Sequence, residues 1–128
     1  MTTTAQHWTF KADESAPALA RLAASSLAHQ VPHRRLADIL LLVSELVTNS
    51  VRHAGLNGSD RIGLVVDIDG ETVRVEVRDP GPGFEPRSLS PKPHHGSGWG
   101  LHLVQLLADR WGVDTTDAET VTWFELAV

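Results

Sequence analysis

SELVTNSVRH, residues Ser44 to His53, lies inside the most apolar helix that the sequence predicts. That helix runs from about Pro32 to His53, and Leu40, Leu41, Leu42, Val43, Leu46 and Val47 leave it almost no polar side. A helix apolar nearly all round is covered on both faces. Yet at about 100° per residue, Asp38, Glu45 and Arg52 fall on one line, with Thr48 and Asn49 beside it. The plainer reading is a solvated stripe with helix-spaced charge partners. Against it, Leu41 and Leu42 flank Glu45 on the same side. Glu45 and Asn49, one turn apart, would then project together into the edge of a covered cleft. They offer oxygen ligands suited to a hard cation and a candidate general base.

Outward from this helix, the remaining elements follow from periodicity and punctuation. HWTFKA alternates Trp8, Phe10 and Ala12 against Thr9 and Lys11, the pattern of a strand. Ser15 is placed to cap a helix and Pro17 suits its first turn. The helix continues through ALARLAASSLAHQ with Leu19, Leu22 and Ala23 on one side. After AGLNGSD, Ile62, Leu64, Val66 and Ile68 alternate on one strand and Val73, Val75 and Val77 on the next, joined at Asp69-Gly70. From Glu85 to Gly98 there is no periodicity, and a loop that long in a small domain is a candidate lid. A third helix starts at about Gly100, with Leu101, Val104, Ala108 and Trp111 on one stripe, and ETVTWFELAV closes the chain as a strand. Strands and helices are partly segregated. This predicts an α+β two-layer sandwich, a mainly antiparallel mixed sheet with helices on one face, forming a single domain over residues 1–128.

Composition narrows the function classes. The chain has 128 residues, 41% hydrophobic and 21% charged, which suits one globular domain with one core. It has no cysteine, in keeping with a reducing, cytoplasmic setting. No basic segment followed by an apolar run marks a secretory signal, and the longest apolar run, LADILLLV, is far shorter than a membrane span needs. A net charge of −5 without any Lys/Arg block argues against nucleic-acid backbone binding.

Two further stretches carry chemistry. Asp79, in RDPGPGF, has the parity of Val73, Val75 and Val77 and so falls on the core face of its strand. A carboxylate there needs a partner: either it closes a local Asp-Pro-Gly turn, or it accepts a hydrogen bond from a ligand that Gly81 and Gly83 let the backbone approach. GSGWGL, Gly96 to Leu101, sets Gly96, Gly98 and Gly100 directly before an amphipathic helix, where backbone N–H groups can hold an anion. No Walker loop occurs. His94 and His95 read as solvated loop residues. His29 and His33 are separated by Pro32 and are not taken as a zinc pair.

Taken in order, SELVTNSVRH, RDPGPGF and GSGWGLHLV resemble the N, G1 and G2 boxes of the GHKL (Bergerat-fold) superfamily. That superfamily includes gyrase, heat-shock chaperones, mismatch-repair ATPases and histidine kinases. Within it, the short length and SELVTN look most like the small bacterial anti-sigma factor serine/threonine kinases. The resemblance implies ATP and Mg as ligands. It makes Asn49 the Mg-coordinating asparagine, Glu45 the general base, and Asp79 the acceptor for the adenine amino group beside Gly81 and Gly83. Gly96, Gly98, Gly100 and Leu101 become the phosphate-binding segment, and Thr120 the adenine-side threonine with Thr122 as the fallback. Arg52 and His53 lie at the pocket end of the helix. The implied function is that of a kinase that binds a sigma factor and phosphorylates an anti-anti-sigma antagonist, with a homodimer also open. A non-catalytic ATP-binding regulatory module is the alternative. ATP hydrolysis ranks third, because larger GHKL ATPases complete the site with another domain and this sequence stops at Val128. Histidine autophosphorylation is not expected, since no phosphoacceptor helix pair precedes the domain.

Overall fold

The computed structural model describes residues 4–53, 60–80, 99–116 and 118–128. Among these, β1 (Thr4–Lys11) leads into α1 (Ala16–Ala24), a short 3₁₀ turn (Ser25–His29) and α2 (His33–His53). The hairpin β2 (Arg61–Asp69) and β3 (Thr72–Asp79) follows, then α3 (Trp99–Leu107), β4 (Arg110–Thr115) and β5 (Thr120–Ala127). The five strands form one sheet in the order β1-β2-β3-β5-β4. Every neighbouring pair is antiparallel, so the mixed character expected from sequence is absent among the described strands.

Alternation along the strands decides the layers. Phe10, Ile62, Leu64, Val66, Val73, Val75, Val77, Phe124 and Leu126 are buried on the inner face. They meet Ile39, Leu42, Val43, Leu46 and Val47 of α2 and Val104 of α3 in one core. Helix α2 packs on β3 and is flanked by α1 and α3. The outer face carries a lattice of ion pairs instead. Arg74 reaches Glu76 and Glu125, both at 3.1 Å, and its guanidinium lies 4.2 Å from the Trp123 ring centroid. Arg78 adds a 2.7 Å contact to Glu76. Burial works against the charge on Glu76, but the hydrogen bonds from Arg78 and Arg74 outweigh it and hold the carboxyl below the usual carboxylate range. The Trp123 indole lies flat across β4 at Gly112. A Cβ there would meet the ring at 2.8–2.9 Å, so the residue opposite Trp123 has no room for a side chain.

Several local expectations are corrected. The β2–β3 loop is Gly70-Glu71, because Asp69 pairs with Thr72; Gly70, at φ 55, takes the first loop position. Ser15 makes no capping bond. Its backbone N–H (2.9 Å) and hydroxyl both donate to Asp13 Oδ1, and these bonds hold the Asp13 carboxyl below its ordinary range. Trp111 belongs to a strand, β4, that the sequence reading merged into the third helix. In α1 the buried stripe is Ala16, Ala20 and Ala24, whereas Leu19 and Leu22 are 44% and 70% exposed. Small residues let α1 lie close against α2, and Arg21 Nη1 donates to Ser44 Oγ at 2.7 Å across that contact. Leu41, at 41% exposure, shows that α2 is not covered on all sides by the described residues.

The close contact of α1 with α2 makes a contrast between two substitutions. Ala20→Leu should cost about 1–3 kcal/mol by overpacking, while Leu22→Ser should change stability by no more than about 0.5 kcal/mol. Urea denaturation of both variants measures this. A larger loss for Leu22→Ser would place the leucine face, not the alanine face, against the core.

Candidate functional site

The polar residues of α2 sort themselves by their bonds. Ser44 Oγ is held by Arg21, and Thr48 Oγ1 donates back to the Ser44 carbonyl at 2.7 Å, the usual way a threonine is satisfied inside a helix. Asp38 pairs with Arg35 at 3.5 Å on the opposite end of the stripe. Ser50 is buried at 2% exposure, and Glu45 and Asn49 carry the carboxylate and the amide of the stripe. Glu45 is half-buried, and Asn49 is only 3% exposed. The Asn49 Nδ2 is buried and has no hydrogen-bond partner among the described residues. A buried amide donor without a partner costs about 1–3 kcal/mol, which makes Asn49 a candidate ligand-binding group. The amide offers an NH₂ group with two donor hydrogens and a carbonyl acceptor one turn from a carboxylate, a set that fits phosphate oxygens and the water shell of a hard cation.

Asp79 is 2% exposed at the last position of β3. The antiparallel register places Thr120, fully buried at the first position of β5, directly opposite it, with Thr122 opposite Val77. Thr115 of β4 pairs with Thr120 from the other side. The inner face of the sheet is thus apolar along its length and turns polar at one end, where Asp79, Thr120 and Thr122 gather. Asp79 therefore sits on the core face, as its parity implies, and α2, with Asn49, packs over the same strand.

Other predicted site residues are located less fully. Gly100 and Leu101 lie in the first turn of α3. Gly81, Gly83, Gly96 and Gly98, and with them the loop from Glu85 to Gly98, lie outside the described residues. Arg52 is exposed and, with Glu14, Pro17, Thr48 and Val51, lines a cavity of about 210 Å³ beside the last turns of α2. A cavity of about 260 Å³ touches Asp79 and Pro80, but Thr9, Gly63 and Arg78 place it on the outer face, away from Asn49. Sequence reading missed two features. One is the Arg21–Ser44 tie, which only the helix pairing creates. The other is the outer-face pair Arg78–Glu119, 3.3 Å apart, whose members immediately precede Asp79 and Thr120.

A family profile described as the histidine kinase-like ATPase domain matches residues 10–126. No curated protein matches the sequence. Among solved structures, the RsbU and RsbW domains of Rv1364c from Mycobacterium tuberculosis superpose with a TM-score of 0.74 at 23% identity, over 96% of this chain and 32% of that one. The histidine kinase domain of a blue-light activated histidine kinase from Erythrobacter litoralis gives 0.59 at 26% identity, over 86% and 59% of the two chains. The histidine kinase AdeS of Acinetobacter baumannii gives 0.57 at 15% identity, over 95% and 67%. The chain thus spans about a third of the first of these structures and under two thirds of the second. No helix among the described residues is long and apolar enough to cross a membrane.

The unpartnered Asn49 donor leads to a stability test without any ligand. Asn49→Leu should leave the ligand-free protein as stable as the wild type or more stable by about 1 kcal/mol, because an unsatisfied buried group is replaced by an apolar one of similar volume. Denaturant melts report it. A loss above about 2 kcal/mol would show that the amide is already satisfied within the protein.

Proposed function

Because this chain belongs to the histidine kinase-like ATPase domain family, we propose that its GHKL-type ATP-binding fold holds Mg-ATP at Asn49 and Asp79 and uses it as a serine/threonine protein kinase. The observation that carries this reading is the burial of Asn49 on α2 and of Asp79 on β3, a helix and a strand that pack on each other. An apolar interface does not retain such groups without a use for them. Asp79 accepts from the adenine amino group, with Thr120 beside it. Asn49 holds Mg, which neutralises phosphate charge when bound. By the resemblance of the boxes, Gly81, Gly83, Gly96, Gly98, Gly100 and Leu101 are assigned to the nucleotide as well.

Glu45, one turn before Asn49, takes the proton from the attacking hydroxyl. The carboxylate is half-buried, so it keeps access to an incoming substrate. The substrate proposed is a serine or threonine of an anti-anti-sigma-type antagonist, with a sigma factor as the other partner. The RsbW domain in the Mycobacterium tuberculosis structure supports this choice by fold. A kinase of this kind acts in the cytoplasm on transcription regulation. Mixing the protein with labelled ATP and its copurified partner tests the proposal. Phosphoprotein supports it; free phosphate would mean hydrolysis, and neither product would mean a non-catalytic ATP-binding module.

Calorimetry with ATP, with and without Mg, tests the pocket itself. Asp79→Ala should lower affinity roughly ten- to a hundredfold, since a hydrogen bond to a charged acceptor contributes about 1.5–3 kcal/mol. Wild-type affinity in the folded variant would leave Asp79 a turn residue.

Glu45 and Asn49 should fail differently. Asn49→Ala should weaken Mg-dependent ATP binding and abolish transfer. Glu45→Ala should keep ATP affinity within about threefold and slow partner phosphorylation by about 10²–10⁴. Full kinase activity in Glu45→Ala would remove it as the base.

A further inference from the structure

Asp79 and Thr120 are the last pair of the β3–β5 ladder, and ladder ends fray before ladder centres. Something must hold this end if both side chains are to present one surface. Along its other edge, Thr120 is paired with Thr115 of β4. The outer face offers more. Alternation puts Arg78 on it, and Arg78 Nη1 lies 3.3 Å from Oε1 of Glu119, the residue just before Thr120. The guanidinium is anchored on its other side, where Nε and Nη2 donate to Glu76 Oε1 at 3.0 and 2.7 Å. Glu76 is in turn held by Arg74, and Arg74 by Glu125.

Glu119 is fixed in its backbone as well. The Thr116 N–H donates to the Glu119 carbonyl at 2.9 Å. The N–H groups of Ala118 and Glu119 donate to Thr116 Oγ1 at 3.2 and 3.1 Å. A threonine-closed turn thus delivers a carboxylate to an arginine that is itself clamped. The bond between them bridges the two strands one residue away from Asp79 and Thr120.

We infer that Arg78 and Glu119 are positioning residues for nucleobase recognition: their cross-strand pair holds the end of the β3–β5 ladder so that Asp79 and Thr120 face the adenine ring together. This rests on the nucleotide reading proposed above. Both side chains are about two-fifths exposed, at 44% and 40%, so the pair adds little to global stability. Its effect is on local order at the strand end. The affected bond is the one from the adenine amino group to Asp79, which inosine triphosphate cannot make because it carries a carbonyl at that position.

The experiment measures Mg-dependent binding of ATP and of inosine triphosphate by calorimetry on the intact chain. The proteins are the wild type, Glu119→Gln, Arg78→Gln, the double variant and Arg78→Lys, with thermal melts alongside. Glu119→Gln and Arg78→Gln should each weaken ATP about two- to fivefold, the range of an exposed ion pair, and leave inosine triphosphate unchanged. The double variant should be no worse than Arg78→Gln, Arg78→Lys should retain the preference, and high salt should lower the wild type toward the variants. Equal losses for both nucleotides would mean general loosening and overturn the assignment, as would unchanged ATP affinity. A wild type that binds the two nucleotides alike would instead overturn the adenine reading on which the assignment rests.

Discussion

The antiparallel pairing of β3 with β5 is the constraint on which the rest of the molecule depends. It joins the central hairpin to the C-terminal strand across α3 and β4, and it is satisfied on both faces at once. On the inner face, Val73, Val75 and Val77 stand opposite Leu126, Phe124 and Thr122. On the outer face, Arg74 stands opposite Glu125 and bonds to it. A slip of one residue would turn the valines to solvent and the arginines into the core. The register that the core demands is therefore the register that sets Asp79 opposite Thr120. A polar pair at a strand end inherits the precision of the apolar ladder behind it.

Helix α2 supplies the second half of the site under a different constraint. It must be apolar to fill the space above β3, so every polar side chain it carries has to be accounted for. Ser44 and Thr48 are accounted for by Arg21 and by the helix backbone. Glu45 keeps partial contact with solvent. Asn49 alone is enclosed with an unmatched donor among the described residues. The folded protein thus carries the cost of burying an amide donor without a partner among the described residues.

What the sequence by itself determined is whatever depends on short-range period. The alternation of β2, β3 and β5, the long α2 and the inward parity of Asp79 are all set by residues two to four positions apart, and all are found. Glu45 and Asn49 both lie on α2, one turn apart. The order of the three boxes in the chain was enough to indicate the family.

The tertiary structure decided the rest, because it depends on which surfaces meet. Leu19 and Leu22 outrank Ala16, Ala20 and Ala24 in hydrophobicity, yet the alanines are buried, since the separation of α1 from α2 is limited by side-chain size and not by apolar area. Trp111 fits a helical stripe as well as a strand; its pairing with Phe124 of β5 makes it a strand residue. Arg78 and Glu119 are ordinary surface residues in the sequence, far apart along it, and only the closing of β5 on β3 puts them together. Local sequence fixes which way a side chain points on its own element. Whether anything stands opposite it is a property of chain closure, and no short-range pattern encodes that.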